Sequence, residues 1–328
     1  MFASVLALLA IRPTPLHVLG NQLVEDGRPV TLFGVNVPSF EWSNEGEFVF
    51  RSSRIAFEDW KANCIRLPLS QDRWFGKADK QKDKGEGYQQ AVNEIVNLAI
   101  NRNRYIILDL HWSDANDWGK NLGQHDMPDE HSVQFWKEVA SRYKRDSHVL
   151  FGLYNEPHDV SWSVWKDGGD VQEKDLHYRT PGIQALLDAI RKAGANNVCI
   201  AGGLDWAYDL TGVLNGGGLS DPKGNGVVYD AHIYPWKRDW EGKVGVASSA
   251  YPVLIGEAGC LPKDIPGPGE FVPKLFDFIR SHKLNWTAWC LHPTATPNLI
   301  SDWVYTPTPF WGVPVKQELA KAADQDGK

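Results

Sequence analysis

Sulfur is scarce in this 328-residue chain, with two methionines and four cysteines. Cys64, Cys199, Cys260 and Cys290 are separated by 135, 61 and 30 residues, and no short metal-ligand spacing is among these. Each lies in or beside an apolar run and reads as a buried thiol acting as a small hydrophobe. A Cys260–Cys290 disulfide stays open if their strands are neighbours. Basic residues are the minority, 34 against 41 acidic, giving a net charge of −7. No basic cluster offers a nucleic-acid footprint. Membrane-length apolar runs are missing too. Residues 2–11 (FASVLALLAI) are far too few to cross a bilayer, and charges interrupt every other run. That stretch has the look of a secretory h-region, but it has no basic n-region before it and no small-x-small site after it. Residues 1–15 are expected to be a signal-like leader, the protein to be secreted or extracytoplasmic, and no membrane partner is expected. No period of 20 to 50 residues recurs, which excludes a solenoid or propeller. With no low-complexity linker, residues 16–328 are expected to form one domain.

Tryptophan is abundant, at 15 residues. Indole stacks well on the flat C–H faces of sugars, so a Trp-rich cleft suits carbohydrate, although most individual Trp in any protein serve packing. A short apolar run followed by a helix-period segment recurs along the chain, the βα rhythm of a parallel sheet. An N-terminal β-hairpin with its turn at Asp26-Gly27 comes first. Strands follow at 32–37, 64–69, 105–111, 149–154, 198–202, 227–233, 253–255 and 286–291. Helical patterns lie between them, weakest at 241–251. Eight such strands predict an α/β fold, a closed (β/α)8 TIM barrel, and the apolar Ile106-Ile107-Leu108 fits a strand buried on both faces.

Barrel catalysis comes from the C-terminal ends of strands and the loops after them. The polar residues there are Arg66, His111, Asn155, Glu156, His232, Tyr234, Glu257 and Trp289. A lone Glu is ordinarily a solvated surface residue. Glu156 and Glu257, however, each follow a buried run, and strands four and seven face each other across a barrel mouth. Retaining glycosidases need two carboxyl groups about 5–5.5 Å apart. Asn-Glu-Pro alone is a weak motif, but the ordered set is strong: NCIRLP, LDLHW, YNEP, HIY, IGE and TAWC. In this set the chain resembles glycoside hydrolase family 5 from about Leu16 to Leu319. One departure is Ala258 after Glu257, where many members carry Phe.

The resemblance implies a cellulase-like retaining β-glycanase, with Glu156 as acid/base and Glu257 as nucleophile. Arg66 would then hold the Glu257 pKa down, and Tyr234 would donate to it. The site would raise the Glu156 pKa so that it starts protonated. Asn155 would bond the sugar 2-OH, His111 and His232 would bind hydroxyls or tune the carboxylates, and Trp289 would floor the subsite. Trp42, Trp206 and Trp236 are the aromatic residues expected to wall the cleft. His125, His131, His158, His177, His282 and His292 read as ordinary hydrogen-bonded histidines. His111, Asp114 and Asp117 suggest a metal cluster, yet no HExxH-type pattern is present, so no metal and no cofactor is expected. The expected function is a monomeric endo-β-1,4-glucanase acting on a β-linked polysaccharide or oligosaccharide. A β-mannanase or xyloglucanase would use the same machinery. A carboxylate-deficient carbohydrate-binding barrel conflicts with the two Glu, and an aldolase-type barrel with the lack of a strand-end Lys.

Overall fold

A computed structural model describes residues 14–326, so the expected leader lies, but for two residues, outside them. Eight parallel strands close into a barrel. They are β4 (Phe33–Asn36), β5 (Cys64–Ser70), β6 (Tyr105–Trp112), β7 (Val149–Gly152), β10 (Cys199–Gly202), β11 (Val227–Ile233), β12 (Val253–Ala258) and β13 (Asn285–Ala288). The expected eighth strand is shorter than its apolar run. Outside the barrel lie α1 (Val49–Glu58), α2 (Gln71–Trp74), α3 (Glu86–Ile100), α4 (Glu130–Tyr143), α5 (Trp162–Asp167), α6 (Ile183–Lys192), α7 (Val246–Ser248), α8 (Pro268–His282) and α9 (Gly312–Asp326). The weak pattern at 241–251 gives a wide helical turn at Glu241–Gly245 that runs into α7. Two glycines in that span cost helix stability, which explains why no full helix forms.

Strand alternation sorts the core into two sets. Outward-facing Ile65, Leu67, Ile106 and Leu108 pack under the helices. Inward-facing Cys64, Ile107, Leu150, Ile200, Val228 and Leu254 fill the barrel floor with Leu16, Leu23 and Leu32. The floor is sealed from below by an antiparallel meander: β1 (His17–Leu19), β2 (Gln22–Glu25) and β3 (Arg28–Val30). The expected hairpin therefore has a third strand, because Gly20 supplies a second turn at a φ of 62°. A further hairpin, β8 (Gly169–Glu173) with β9 (Leu176–Thr180), follows β7 and was not anticipated. All four cysteines are free and buried, so no Cys260–Cys290 disulfide forms.

Helix α4 shows how local chemistry orders the mouth. Asp129 caps it, accepting from the Ser132 backbone N–H at 3.1 Å while the Ser132 hydroxyl accepts from Asp129 N–H at 3.1 Å. This is a capping box. The Trp136 indole N–H then donates to the Leu153 carbonyl at 2.8 Å, tying the helix to the end of the strand that leads to Glu156.

Candidate active site

Along the inward-facing rows of β5, β6 and β11, the side chains turn from apolar to polar toward the C-terminal mouth. On β5, Cys64 is followed by Arg66; on β6, Ile107 by Asp109 and His111; on β11, Val228 by Asp230 and His232. Each step is two residues, the strand period. The result is a buried charged layer on an apolar floor.

Arg66, 1% exposed, is its hub. Its guanidinium donates to Glu257 Oε1 at 2.7 Å, to Asn36 Oδ1 at 2.9 Å and to Asn155 Oδ1 at 2.6 Å, and stands 3.0 Å from Asp109 Oδ2. Burial works against its charge, but Asp109, Glu257 and Asp230 outweigh burial and push its pKa up. Tyr234 donates its hydroxyl to Glu257 Oε2 at 2.7 Å. Both oxygens of Glu257 are thus held by donors from opposite sides, which fixes the carboxylate's orientation.

Glu156 lies across the cleft. His232 Nδ1 stands 2.8 Å from Glu156 Oε1, and its Nε2 stands 3.3 Å from Asp230 Oδ2. Burial would strip the His232 charge; Glu257, Asp230 and the Glu156 bond overcome it and push its pKa up to about 10. With carboxylates on both ring nitrogens, His232 tunes the acids and has no free nitrogen for a sugar. The Glu156 carboxyl departs from the sequence expectation of a raised pKa. Burial does push it up, but the His232 hydrogen bond and the charges of His232, His111 and Arg66 bring it below the ordinary range. The expectation failed because it was drawn from the catalytic role and left out the cationic ring beside the carboxylate.

His111 Nδ1 is held by Asp109 at 2.8 Å, and its ring stacks on Trp289 with centroids 5.6 Å apart. Burial lowers its pKa, the Asp109 bond raises it, and the net shift is upward. Asn155 Nδ2 donates to Gln124 at 2.8 Å. Trp206 and Trp236 line an open pocket of about 400 Å³ with Glu156, Asp205, Tyr234 and Lys237. Trp236 is 60% exposed and lies flat on Tyr234. Trp42 is less central: its indole donates to Glu47 at 2.8 Å and meets His292 edge-on.

Sequence reasoning passed over Asn36, Asp109, Asp230, Gln124 and Glu41. Asp109 and Asp230 had a signal: each precedes a flagged His by two residues, on the same face of a buried strand. Glu41 is buried beside the charged layer, its pKa pushed up by burial to about 7. The His111–Asp114–Asp117 grouping, set aside on sequence grounds, does not come together among the described residues. Asp114 instead meets Asp129 and His131, and Asp117 pairs with Lys120. Ligand atoms also converge at Asp126–His158–Asp159 and at Glu156–His232–Glu257. In the Asp114 group, the oxygens accept from Gln71, Asn116 and Ser132, so hydrogen bonds already satisfy them.

One Glu156 oxygen, one Glu257 oxygen and a His232 nitrogen all lie within 4.8 Å of one another. Two carboxyl groups so close, on opposite strands of a barrel mouth, fit the spacing of a retaining glycosidase and are too close for an inverting pair, which needs about 6.5–9.5 Å. A barrel with this pair at its mouth defines the class of glycoside hydrolases. Residues 23–295 match the family model for cellulase, glycosyl hydrolase family 5, and the chain belongs to that family. Endoglucanase E-5 of Thermobifida fusca is 24% identical, covering 84% of this chain and 55% of that protein. Cellulase CelDZ1 of a Thermoanaerobacterium species is 26% identical, over 86% of this chain and 71% of that one. The chain therefore spans little more than half the length of the first of these relatives. The solved β-glucanase SdGluc5_26A of Saccharophagus degradans shares the fold, with a TM-score of 0.77, 23% identity and coverage of 95% and 94% of the two chains. No described helix is long and apolar enough to cross a membrane.

Proposed function

We propose that the chain is an endo-β-1,4-glucanase that retains anomeric configuration, with residues 16–328 as its catalytic domain. The observation that carries this is the close pair of Glu156 and Glu257, each gripped by a different partner. Glu257, oriented by Arg66 and Tyr234, attacks the anomeric carbon. A carboxylate with donors on both oxygens is fixed in its attack geometry. Glu156 protonates the leaving oxygen and then deprotonates water. The raised His232 pKa and the lowered Glu156 pKa favour the proton of the Glu156–His232 pair on His232. The Glu156 side chain is 20% exposed, so a substrate that covers it removes water and favours the neutral acid. Once Glu257 becomes an ester, its negative charge is gone, and the His232 and Arg66 cations, still paired with Asp230 and Asp109, weigh more on Glu156 and favour the base. Asn155 would offer its second amide N–H to the sugar 2-OH, while Trp289, Trp206, Trp236 and Trp42 offer stacking surfaces.

The choice of glucan is supported by the relatives, named endoglucanases and a cellulase. A fold neighbour, the Saccharophagus β-glucanase, was solved with cellotetraose. A polymeric substrate places the enzyme's work outside the cell, and we take it to act as a monomer. A panel of carboxymethylcellulose, lichenan, mannan, xyloglucan and xylan tests the reading. Viscosity should fall faster than reducing ends appear on carboxymethylcellulose or lichenan. Preferred release from mannan or xyloglucan would move the assignment to those substrates, and no release from any of them would overturn it.

A further inference from the structure

The sequence reading set His158 aside, but its surroundings give it a task. His158 lies two residues past Glu156 and is 8% exposed. Its Nδ1 stands 2.7 Å from the backbone carbonyl of Glu156, and its Nε2 stands 3.1 Å from Asp126 Oδ1. Its backbone N–H donates to the Asp126 carbonyl at 3.0 Å. One face of the ring carries Trp206, with centroids 4.3 Å apart and planes at 18°. Trp206 is itself 41% exposed and walls the pocket that opens beside Glu156.

The loop bearing Trp206 is strained. Asp205, Trp206 and Ala207 have consecutive φ values of 58°, 57° and 58°. Side chains disfavour that region, and such strain persists only where the surroundings over-determine the backbone. Here the restraint comes from the acid/base turn. The Trp206 backbone N–H donates to Pro157 carbonyl at 3.2 Å, the indole rests on His158, and bridges Gly203–Ala207 and Leu204–Asp209 close the loop. The far side is anchored by Lys237, whose ammonium donates to the Asp205 carbonyl at 2.6 Å and pairs with its carboxylate at 3.0 Å.

We propose that His158 is a positioning residue that sets the distance between the Trp206 sugar platform and the proton-carrying carboxyl of Glu156. The proposal rests on the glucanase reading. A sugar stacked on Trp206 sits on the leaving-group side, next to the carboxyl that must protonate the bond to it. Proton transfer needs heavy atoms about 2.6–3.2 Å apart, and a misplacement of about 1 Å can cost ~10²-fold. One imidazole joins both parts: a hydrogen bond fixes the backbone of Glu156, and its face fixes the indole.

Two substitutions separate the two jobs. His158→Asn keeps a donor near the Nδ1 position and loses the ring under Trp206. His158→Phe keeps the ring and loses both hydrogen bonds. Steady-state kinetics on cellopentaose and on dinitrophenyl β-cellobioside are compared at equal distance below each variant's Tm. His158→Asn should raise KM for cellopentaose several-fold with kcat nearly kept. His158→Phe should lower kcat for cellopentaose by about tenfold or more, the scale of a weakened general acid. The dinitrophenyl burst, which needs little acid help, should be unchanged in both. Should His158→Phe fail to fold, His158→Tyr takes its place with the same expectation, since it keeps a ring under Trp206 and has no donor at the Nδ1 position. Uniform losses on both substrates, or wild-type kinetics in both variants, would overturn the coupling. Failure of the unsubstituted enzyme to cleave any β-glucan would instead overturn the functional reading beneath it.

Discussion

At the bottom of the barrel, Leu16, Leu23 and Leu32 cover Cys64, Ile107, Leu150 and Leu254. At the top, the inward-facing rows carry Arg66, Asp109, His232 and Glu257. The bottom needs only apolar volume, and the dispersion and water-exclusion gains there depend on no orientation. The top buries charges, which is tolerable only when every one is paired. Arg66 alone meets Glu257, Asp109, Asn36 and Asn155. Substitutions at the bottom should therefore be felt in stability and those at the top chiefly in turnover, and this contrast can be broken by experiment.

The largest effect is expected at the nucleophile. Glu257→Ala should reduce turnover to background, and azide should restore part of it with inverted product, seen by NMR of the first product formed. Near-normal hydrolysis would sink the assignment. Glu156→Ala should cost ~10²–10⁴-fold on polysaccharide, while a dinitrophenyl glycoside gives a burst and then a slow phase that azide accelerates. Equal losses on both substrates without a burst would remove Glu156 from the acid/base role.

At the bottom, Leu23→Ala should cost about 2–5 kcal/mol of stability by urea unfolding, with kcat unchanged at a temperature where the variant is folded. A comparable drop in kcat would erase the contrast between the two ends. The smallest effect is a slope. The His232 pKa is raised to about 10 in the folded chain against about 6.5 unfolded. Its contribution is fully present below about 6.5 and is lost as pH rises through about 10. Tm should decline across that window, and less steeply in His232→Gln. Parallel profiles would mean that His232 is not the cation of the charged layer.

Much of this was legible in the sequence, because a barrel strand buried on both faces is an apolar run whose polar end marks the mouth. That rule located the eight strands, and it pointed to Arg66, His111, Asn155, Glu156, His232, Tyr234, Glu257 and Trp289 before any distance was known. What it passed over follows from the same rule. Asp109 and Asp230 sit inside their runs, one strand period before the end, and a search of strand ends skips them. The β8–β9 hairpin carries only Val171, Leu176 and Tyr178 among its apolar residues, too thin a pattern to mark strands. The Glu156 pKa depends on a cation from a strand 76 residues away in sequence, and the expectation drawn from catalytic role left that partner out. His158 looked ordinary because stacking and carbonyl hydrogen bonds leave no trace in composition or spacing.

Gly256 carries a consequence for how this enzyme can change. Its N–H donates to Asp230 Oδ1 at 2.7 Å, and a Cβ there would stand 2.3 Å from Asp230 Oδ2. Asp230 in turn holds His232, which holds Glu156. In a saturation library, position 256 should therefore tolerate almost nothing, although it touches no sugar. A variant surviving there would need a compensating change at 230, so the route from this active site to a different one runs through a pair of positions that must move together.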